Sequence, residues 1–180
     1  MIFYRCEICG DVYMGTAKPS HCPFCGSNPK YLVTVDEWAD ENSSVKEISE
    51  LSRKNLRAAL QLEVDNAPFY RNCSANAQTM EMQGIFKGLA KIEAEHASVI
   101  NKILKSEPIQ PAPAQTVASS DDTENLKTSR KREREAAALY RKFHDEAVEP
   151  RIKKVFSALI EVETDHIMLE DKLLALRAKG

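Results

Sequence analysis

Four of the five cysteines fall in one stretch near the N-terminus, YRCEICGDVYMGTAKPSHCPFCGSNPKYL, residues 4–32. They form two Cys-x-x-Cys-Gly knuckles, Cys6–Cys9–Gly10 and Cys22–Cys25–Gly26, with twelve residues between the pairs. Four thiolates gathered in this way suit tetrahedral zinc or iron. The glycine after each pair lets the chain turn tightly, so that backbone N–H groups point at the sulfurs. A piece of about 34 residues buries too little surface to fold unaided, and a bound metal supplies the missing stability. On spacing alone a structural zinc ribbon leads, with iron as the alternative.

A second constellation lies further along. Glu93 with His96, and Glu163 with His166, are two Glu-x-x-His pairs. Each pair sits in phase with an apolar stripe of helical period: Ile85, Leu89, Ile100 and Ile103 around the first, and Phe156, Leu159 and Leu173 around the second. The acids and imidazoles therefore take core positions where Leu or Ile is expected. A buried ionised carboxylate without a partner costs several kcal/mol, so something must compensate. A pair of divalent cations would, because Glu-x-x-His places both groups one turn apart on one helix face. Glu63 falls on a third stripe with Leu56, Ala59, Leu60, Ala67 and Tyr70, and the segment RKREREAAALY offers Glu133 and Glu135 on a fourth helix. One glutamate from each of these helices completes the six-residue set of a dinuclear carboxylate site. Glu95, Asp165 and Glu170 exceed what six ligands require and read as supporting or surface groups.

These residues need elements to position them. The chain divides into a cysteine module at 1–34, an acidic linker at 35–44 and a helical part at 45–180. Four helices are expected, over about 45–74, 78–105, 123–148 and 151–178. Ser44 and Glu47 fit a capping box for the first. Pro68 should kink that helix, and Pro150 suits the first position of the last. The segment SEPIQPAPAQTVASSDD, 106–122, is too polar and Pro-rich for helix. A connection of that length crosses the end of a bundle, and one crossover with two short hairpins is the ferritin-like four-helix arrangement. The expected fold class is thus mainly α, a four-helix bundle preceded by a small metal-bound β module.

Net charge is −2, so no bulk field favours nucleic acid or an anionic membrane. No apolar run approaches a membrane span and residues 1–20 lack the build of a signal peptide, which makes the cytoplasm the default location. Thiols stay reduced there, favouring metal ligation over disulfides. Cys73 reads as a small buried hydrophobe.

With these residues assembled, the sequence resembles the rubrerythrins, in the reverse domain order with a rubredoxin-like piece first. The rubredoxin-like resemblance covers YRCEICGDVYMGTAKPSHCPFCG, including Gly15 and Pro19. The di-iron resemblance covers Glu63 with Tyr70, EAEH at 93–96, Glu135 with Tyr140 and Phe143, and ETDH at 163–166.

The resemblance implies one mononuclear iron on the four cysteines, with zinc the alternative there, and one dinuclear iron site in the bundle. It implies that Glu93 and Glu163 bridge, that Glu63 and Glu135 are terminal, that His96 and His166 serve one metal each, and that Tyr70 and Tyr140 hydrogen-bond to the carboxylates. The implied activity is that of a non-haem di-iron peroxide reductase: an NADH-linked donor protein feeds the cysteine iron, which passes electrons to the pair that reduces hydrogen peroxide to water. Such proteins usually carry two glutamates three apart on helix 3. Alignment on Tyr140 and Phe143 puts Arg132 at the first, so the seventh carboxylate is missing, which leans toward an oxygen-reducing or ferroxidase-like site. Simple helical counting favours Glu133 over Glu135, and a π-bulge in helix 3 is expected to restore Glu135. A non-enzymatic zinc-ribbon and metal-storage protein is the third reading. A homodimer is expected, with the cysteine module of one subunit facing the bundle of the other.

Overall fold

The computed structural model describes residues 1–106 and 109–178. Strands β1 (Ile2–Cys6), β2 (Val12–Gly15) and β3 (Leu32–Thr34) form an antiparallel sheet in the order β2-β1-β3. The register sets Tyr4 opposite Tyr13 on one side and Thr34 on the other. The central strand ends at Cys6, so the sheet delivers the chain directly into the first knuckle. Each knuckle closes on a glycine with positive φ, 87° at Gly10 and 72° at Gly26, a region that side chains disfavour. The Gly10 N–H donates to the Cys6 carbonyl and the Gly26 N–H to the Cys22 carbonyl, both at 2.9 Å.

Four helices follow: α1 (Glu50–Asn76), α2 (Met80–Leu104), α3 (Asp122–Glu146) and α4 (Pro150–Arg177). The first begins five residues later than expected. Ser49, not Ser44, is its cap, accepting from the Ser52 N–H at 3.2 Å. Ser44 instead closes a short 3-10 turn, Glu41–Ser44, by donating back to the Glu41 carbonyl at 2.6 Å. The later cap wins because Glu149, just before α4, accepts from the Ser49 N–H (2.7 Å) and the Ser52 hydroxyl (2.6 Å). Local capping chemistry alone cannot register that tertiary support. The linker accordingly extends past 44. Helix α1 continues through Pro68, and Pro150 occupies the start of α4. Thr79 caps α2 through Met82 N–H (3.2 Å), and Asp121 caps α3 through Thr123 N–H (2.8 Å).

Residues 77–79 and 147–149 are tight turns, so α1 and α2 form one hairpin and α3 and α4 another, with α1 also packed along α3. The non-helical connection expected over 106–122 includes 107–108, which lie outside the described residues, as do 179–180 of the helical part expected to run to 180. Its described part contains a 3-10 turn at Pro113–Gln115 and is fastened along α1: Gln61 donates to the Gln110 carbonyl (3.2 Å), Asp65 accepts from the Ala112 N–H (2.7 Å) and Asn72 donates to the Thr116 carbonyl (2.7 Å). Two tight hairpins joined by one long crossover make the ferritin-like bundle. Among the described residues no helix is long and apolar enough to cross a membrane.

The cysteine module is not a free appendage. Ile8, Tyr31 and Leu32 belong to one continuous apolar cluster with Ile100, Ile103, Val155, Phe156 and Leu159 of the bundle. Arg151, at the start of α4 and only 5% exposed, donates to the carbonyls of Glu7 (2.7 Å) and Ile8 (2.9 Å) inside the first knuckle. Lys102 of α2 donates to the Cys9 carbonyl (2.8 Å), and Lys30 pairs with Glu161 at 2.5 Å. Arg151→Ala strands two carbonyls that have little access to water. It should lower unfolding stability by about 2–3 kcal/mol in urea titrations, the range for buried bonds to a charged donor, and loosen the module to proteolysis before the bundle.

Candidate metal centres

The four-cysteine site is built from two opposed knuckles. All four sulfurs are buried and lie within 4.8 Å of one another, with Cys6 to Cys25 and Cys9 to Cys22 at 3.8 Å. A metal about 2.3 Å from four tetrahedral sulfurs spaces them by about 3.8 Å, so the set fits a zinc or iron ion without rearrangement. The Ile8 N–H points at Cys6 Sγ (3.4 Å), and Ser27 Oγ lies 3.3 Å from Cys6 Sγ and 3.4 Å from Cys25 Sγ. Hydrogen bonds among the sulfurs, chiefly those made with Cys22, drive Cys6 down and Cys9 and Cys25 up, and those with Cys25 lower Cys22. The protonation of each thiol therefore depends on the other three, as expected of four sulfurs crowded into one site. Cys73 is a separate matter: it is buried in the bundle, and desolvation pushes its thiol up to about 12, leaving it inert.

The second centre lies in the middle of the bundle. Helix α1 supplies Glu63, α2 Glu93 and His96, α3 Glu133, and α4 Glu163 and His166. All are 0% exposed except His166 at 6%. Their ligand atoms form two sets, each within 4.8 Å throughout: Glu63, Glu93, His96 and Glu163, then Glu93, Glu133, Glu163 and His166. Glu93 and Glu163 belong to both sets. Glu163 turns Oε1 toward His96 Nδ1 (3.4 Å) and Oε2 toward His166 Nδ1 (3.1 Å), as a bridging carboxylate would. His166 Nδ1 also lies 3.4 Å from Glu93 Oε1, and the two imidazole rings are 6.5 Å apart.

The polar atoms of this centre are orphaned. Glu63 Oε2, Glu93 Oε1, Glu133 Oε2, both oxygens of Glu163, and Nδ1 of both histidines are buried with no hydrogen-bond partner among the described residues. Desolvation and the Glu163 charge push the Glu93 and Glu133 carboxyls well above the usual range. Burial opposes a charged His96, yet Glu63 and Glu163 raise it overall. Glu163 is also resisted by burial, but the two histidines hold it below the usual carboxylate range. Each perturbation is relieved by placing a cation in each set, so the residues fit a dinuclear metal site. Tyr140 donates to Glu63 and Tyr70 to Glu133. Both phenols are fully buried, and desolvation followed by the adjacent carboxylate keeps them protonated as donors.

Glu135 does not enter the centre. It lies on the outer face of α3, 62% exposed at the side chain, 3.9 Å from Lys131. The expected π-bulge is absent: α3 is regular from Asp122 to Glu146. Without it, Glu133, seven residues before Tyr140, shares its face, whereas a five-residue offset points away. Arg132 is half-buried outside both ligand sets, donating to Asn66 (3.1 Å) and lying 4.1 Å from the Phe69 ring. Asp165 is exposed beside His21 (3.3 Å), Glu95 pairs with Lys102 (3.4 Å), and His144 faces Asp145 (3.1 Å). Glu170, by contrast, is fully buried. The signal was in its spacing, seven residues beyond Glu163 on the same stripe.

The two centres touch. His96 Nε2 lies 2.9 Å from the backbone carbonyl of Cys25. A carbonyl only accepts, so Nε2 carries a proton and Nδ1 is the atom turned to the carboxylate side, where it can ligate a cation once its own proton has left. This contact is made within one chain, so the reach of the linker does not force the module onto a second subunit. The approach is close: a Cβ on Gly26 would sit 3.0 Å from Val162.

Glu133→Ala should leave the cysteine-bound ion in place and cost bundle-bound metal, read by metal analysis after dialysis, while Glu135→Ala should retain the wild-type metal content.

Comparison with known proteins agrees with this geometry. A family model, Rubrerythrin, matches residues 54–119, which carry Glu63, Glu93 and His96. The chain is 31% identical over 110 residues to Reverse rubrerythrin-1 of Clostridium acetobutylicum, an alignment covering 56% of this chain and 61% of that protein. It thus spans about three fifths of the relative's length. No solved structure matches the chain significantly. With its cysteine module first, a ferritin-like bundle behind it and paired Glu-x-x-His residues at the bundle centre, the chain carries a rubrerythrin-model segment and is similar to a reverse rubrerythrin in the order of its parts.

Proposed function

We propose that the protein is an oxidoreductase that reduces hydrogen peroxide to water at the dinuclear centre, with electrons supplied through the four-cysteine site. The observation that carries this reading is the hydrogen bond from His96 Nε2 to the Cys25 carbonyl. One imidazole faces the carboxylate centre on one edge and the backbone of a sulfur ligand on the other. A purely structural zinc ribbon has no need of such a link.

When bound, iron would supply electrons one at a time from the four sulfurs and two together at the bundle centre. The remaining work belongs to the chain. Cys6, Cys9, Cys22 and Cys25 hold their site in fixed geometry, buried against the bundle. Glu63, Glu93, Glu133 and Glu163 offset cationic charge in a dry interior. Tyr70 and Tyr140 hold Glu133 and Glu63 in place and present O–H groups to them. Peroxide reduction consumes two protons with two electrons, so hydrogen-bonded acids beside the centre suit it. The electron donor is a separate redox protein in this reading.

One observation favours oxygen reduction or ferroxidase action as a second reading. Helix α3 contributes Glu133 alone: three residues before it stands Arg130, paired with Asp171 (2.7 Å), and three after it buried Ala136. No further α3 carboxylate is there to rearrange with redox state. Stopped-flow mixing of the fully reduced iron protein with peroxide and with oxygen separates the two readings. Oxidation by peroxide should be at least about tenfold faster at equal concentration, a margin of roughly 1.4 kcal/mol in the barrier. Faster reaction with oxygen would establish the second reading. A colourless protein holding only zinc would remove both.

A further inference from the structure

We propose that Glu170 is a buried proton donor to the dinuclear centre, feeding Glu133 through the hydroxyls of Ser129 and Tyr70; this rests on the peroxide-reducing reading above. The four residues come from three helices, and all are 0% exposed. Glu170 stands one turn beyond His166 on α4, and Ser129 one turn before Glu133 on α3. Ser129 Oγ is hydrogen-bonded to Glu170 Oε1 and lies 2.7 Å from Tyr70 Oη, and Tyr70 donates to Glu133 Oε1. The line is unbroken from a carboxyl outside both ligand sets to a carboxylate inside one of them.

With Glu170 protonated, every group in the line can donate in the same direction. Its O–H donates to Ser129, the Ser129 O–H to Tyr70, and the Tyr70 O–H to Glu133. One concerted shift breaks these three O–H bonds and forms three new ones. Glu170 ends as a carboxylate, Glu133 as a carboxylic acid, and both hydroxyls are restored. One of the two protons required per peroxide then stands on a group that faces the reacting site. Glu170 is suited to hold it. Burial pushes its carboxyl up to about 8; Ser129 and Arg130 pull against this, while Glu163 and Asp171 add to it. Its second oxygen, Oε2, has no hydrogen-bond partner among the described residues. A carboxyl kept dry and half-satisfied costs more than an apolar residue of the same size, which points to a task beyond packing. Leu174, one turn further along α4, and Arg130 border a surface cleft of ≈ 370 Å³ at this end of the bundle. The opposite phenol, Tyr140, meets Glu63, and among the described residues no other side-chain hydrogen bond to Tyr140 extends that contact.

Glu170→Gln keeps the shape and removes the acid; Ser129→Ala cuts the line at a second point. In the iron-loaded, reduced full chain, each should slow single-turnover oxidation by peroxide by about a hundredfold, the lower end of what a positioned acid contributes. Each should also change the solvent deuterium isotope effect while metal content stays at the wild-type level. The double variant should be no slower than the slower single one, and Ser129→Thr, which keeps the hydroxyl, should restore the rate. Independently of activity, the infrared difference between metal-free wild type and Glu170→Gln should show loss of a protonated carboxyl band. A Glu170→Gln protein with wild-type rate and isotope effect, or a difference spectrum showing only ionised carboxylate, overturns the proposal. A wild type that does not consume peroxide defeats the parent reading and the relay with it; a wild type that does, with unaffected variants, defeats the relay alone.

Discussion

Four carboxylates and two imidazoles meet in the dry centre of the bundle, and at most two positive charges from the histidines stand against four negative ones. Everything else in the structure is arranged around that imbalance. The protein's own partial remedies are visible: Glu93 and Glu133 are pushed toward holding protons, and Glu163 is shared between two histidines. Such remedies are costly in a low-dielectric interior, whereas two cations satisfy seven orphaned atoms at once. The apolar stripes above and below the centre hold the helices in phase, so that the ligands converge instead of spreading round the helices.

The second dependence runs through a single imidazole. Because the Cys25 carbonyl can only accept, it holds a proton on His96 Nε2 and fixes Nδ1 as the edge offered to the carboxylates. Docking of the module is therefore a condition for a correctly oriented metal ligand, not only a matter of bringing two centres near. That docking rests on a shared apolar cluster, on Arg151 and Lys102 bonded to knuckle carbonyls, and on a glycine whose missing side chain leaves room for Val162. A module too small to stand on its own surface thus takes part of its stability from the bundle it serves, besides what a metal adds.

Much of this was legible in the residues. Cys-x-x-Cys-Gly written twice announces its site because the ligand spacing and the turn glycine are both local. Glu-x-x-His on an apolar stripe announces its site because a charge on a buried face demands a partner. Pro150 and the Pro-rich connection marked the bundle's turns for the same kind of local reason. Helix phase decided Glu133: uninterrupted 3.6-residue counting from Tyr140 was the better guide, and invoking a bulge to favour Glu135 was not.

Composition and spacing by themselves determined the two ligand sets in outline, the helical bundle and the order of its parts, since each follows from short-range periodicity and from the cost of burying charge. Only the tertiary structure decided where α1 begins, because its cap is held by Glu149, a hundred residues away in sequence. It alone showed that the cysteine module rests on its own bundle with His96 against Cys25, and that Glu170 is walled in beside Ser129 and Tyr70. Such contacts join residues far apart along the chain, and no local pattern records which distant side chain will arrive to accept or donate.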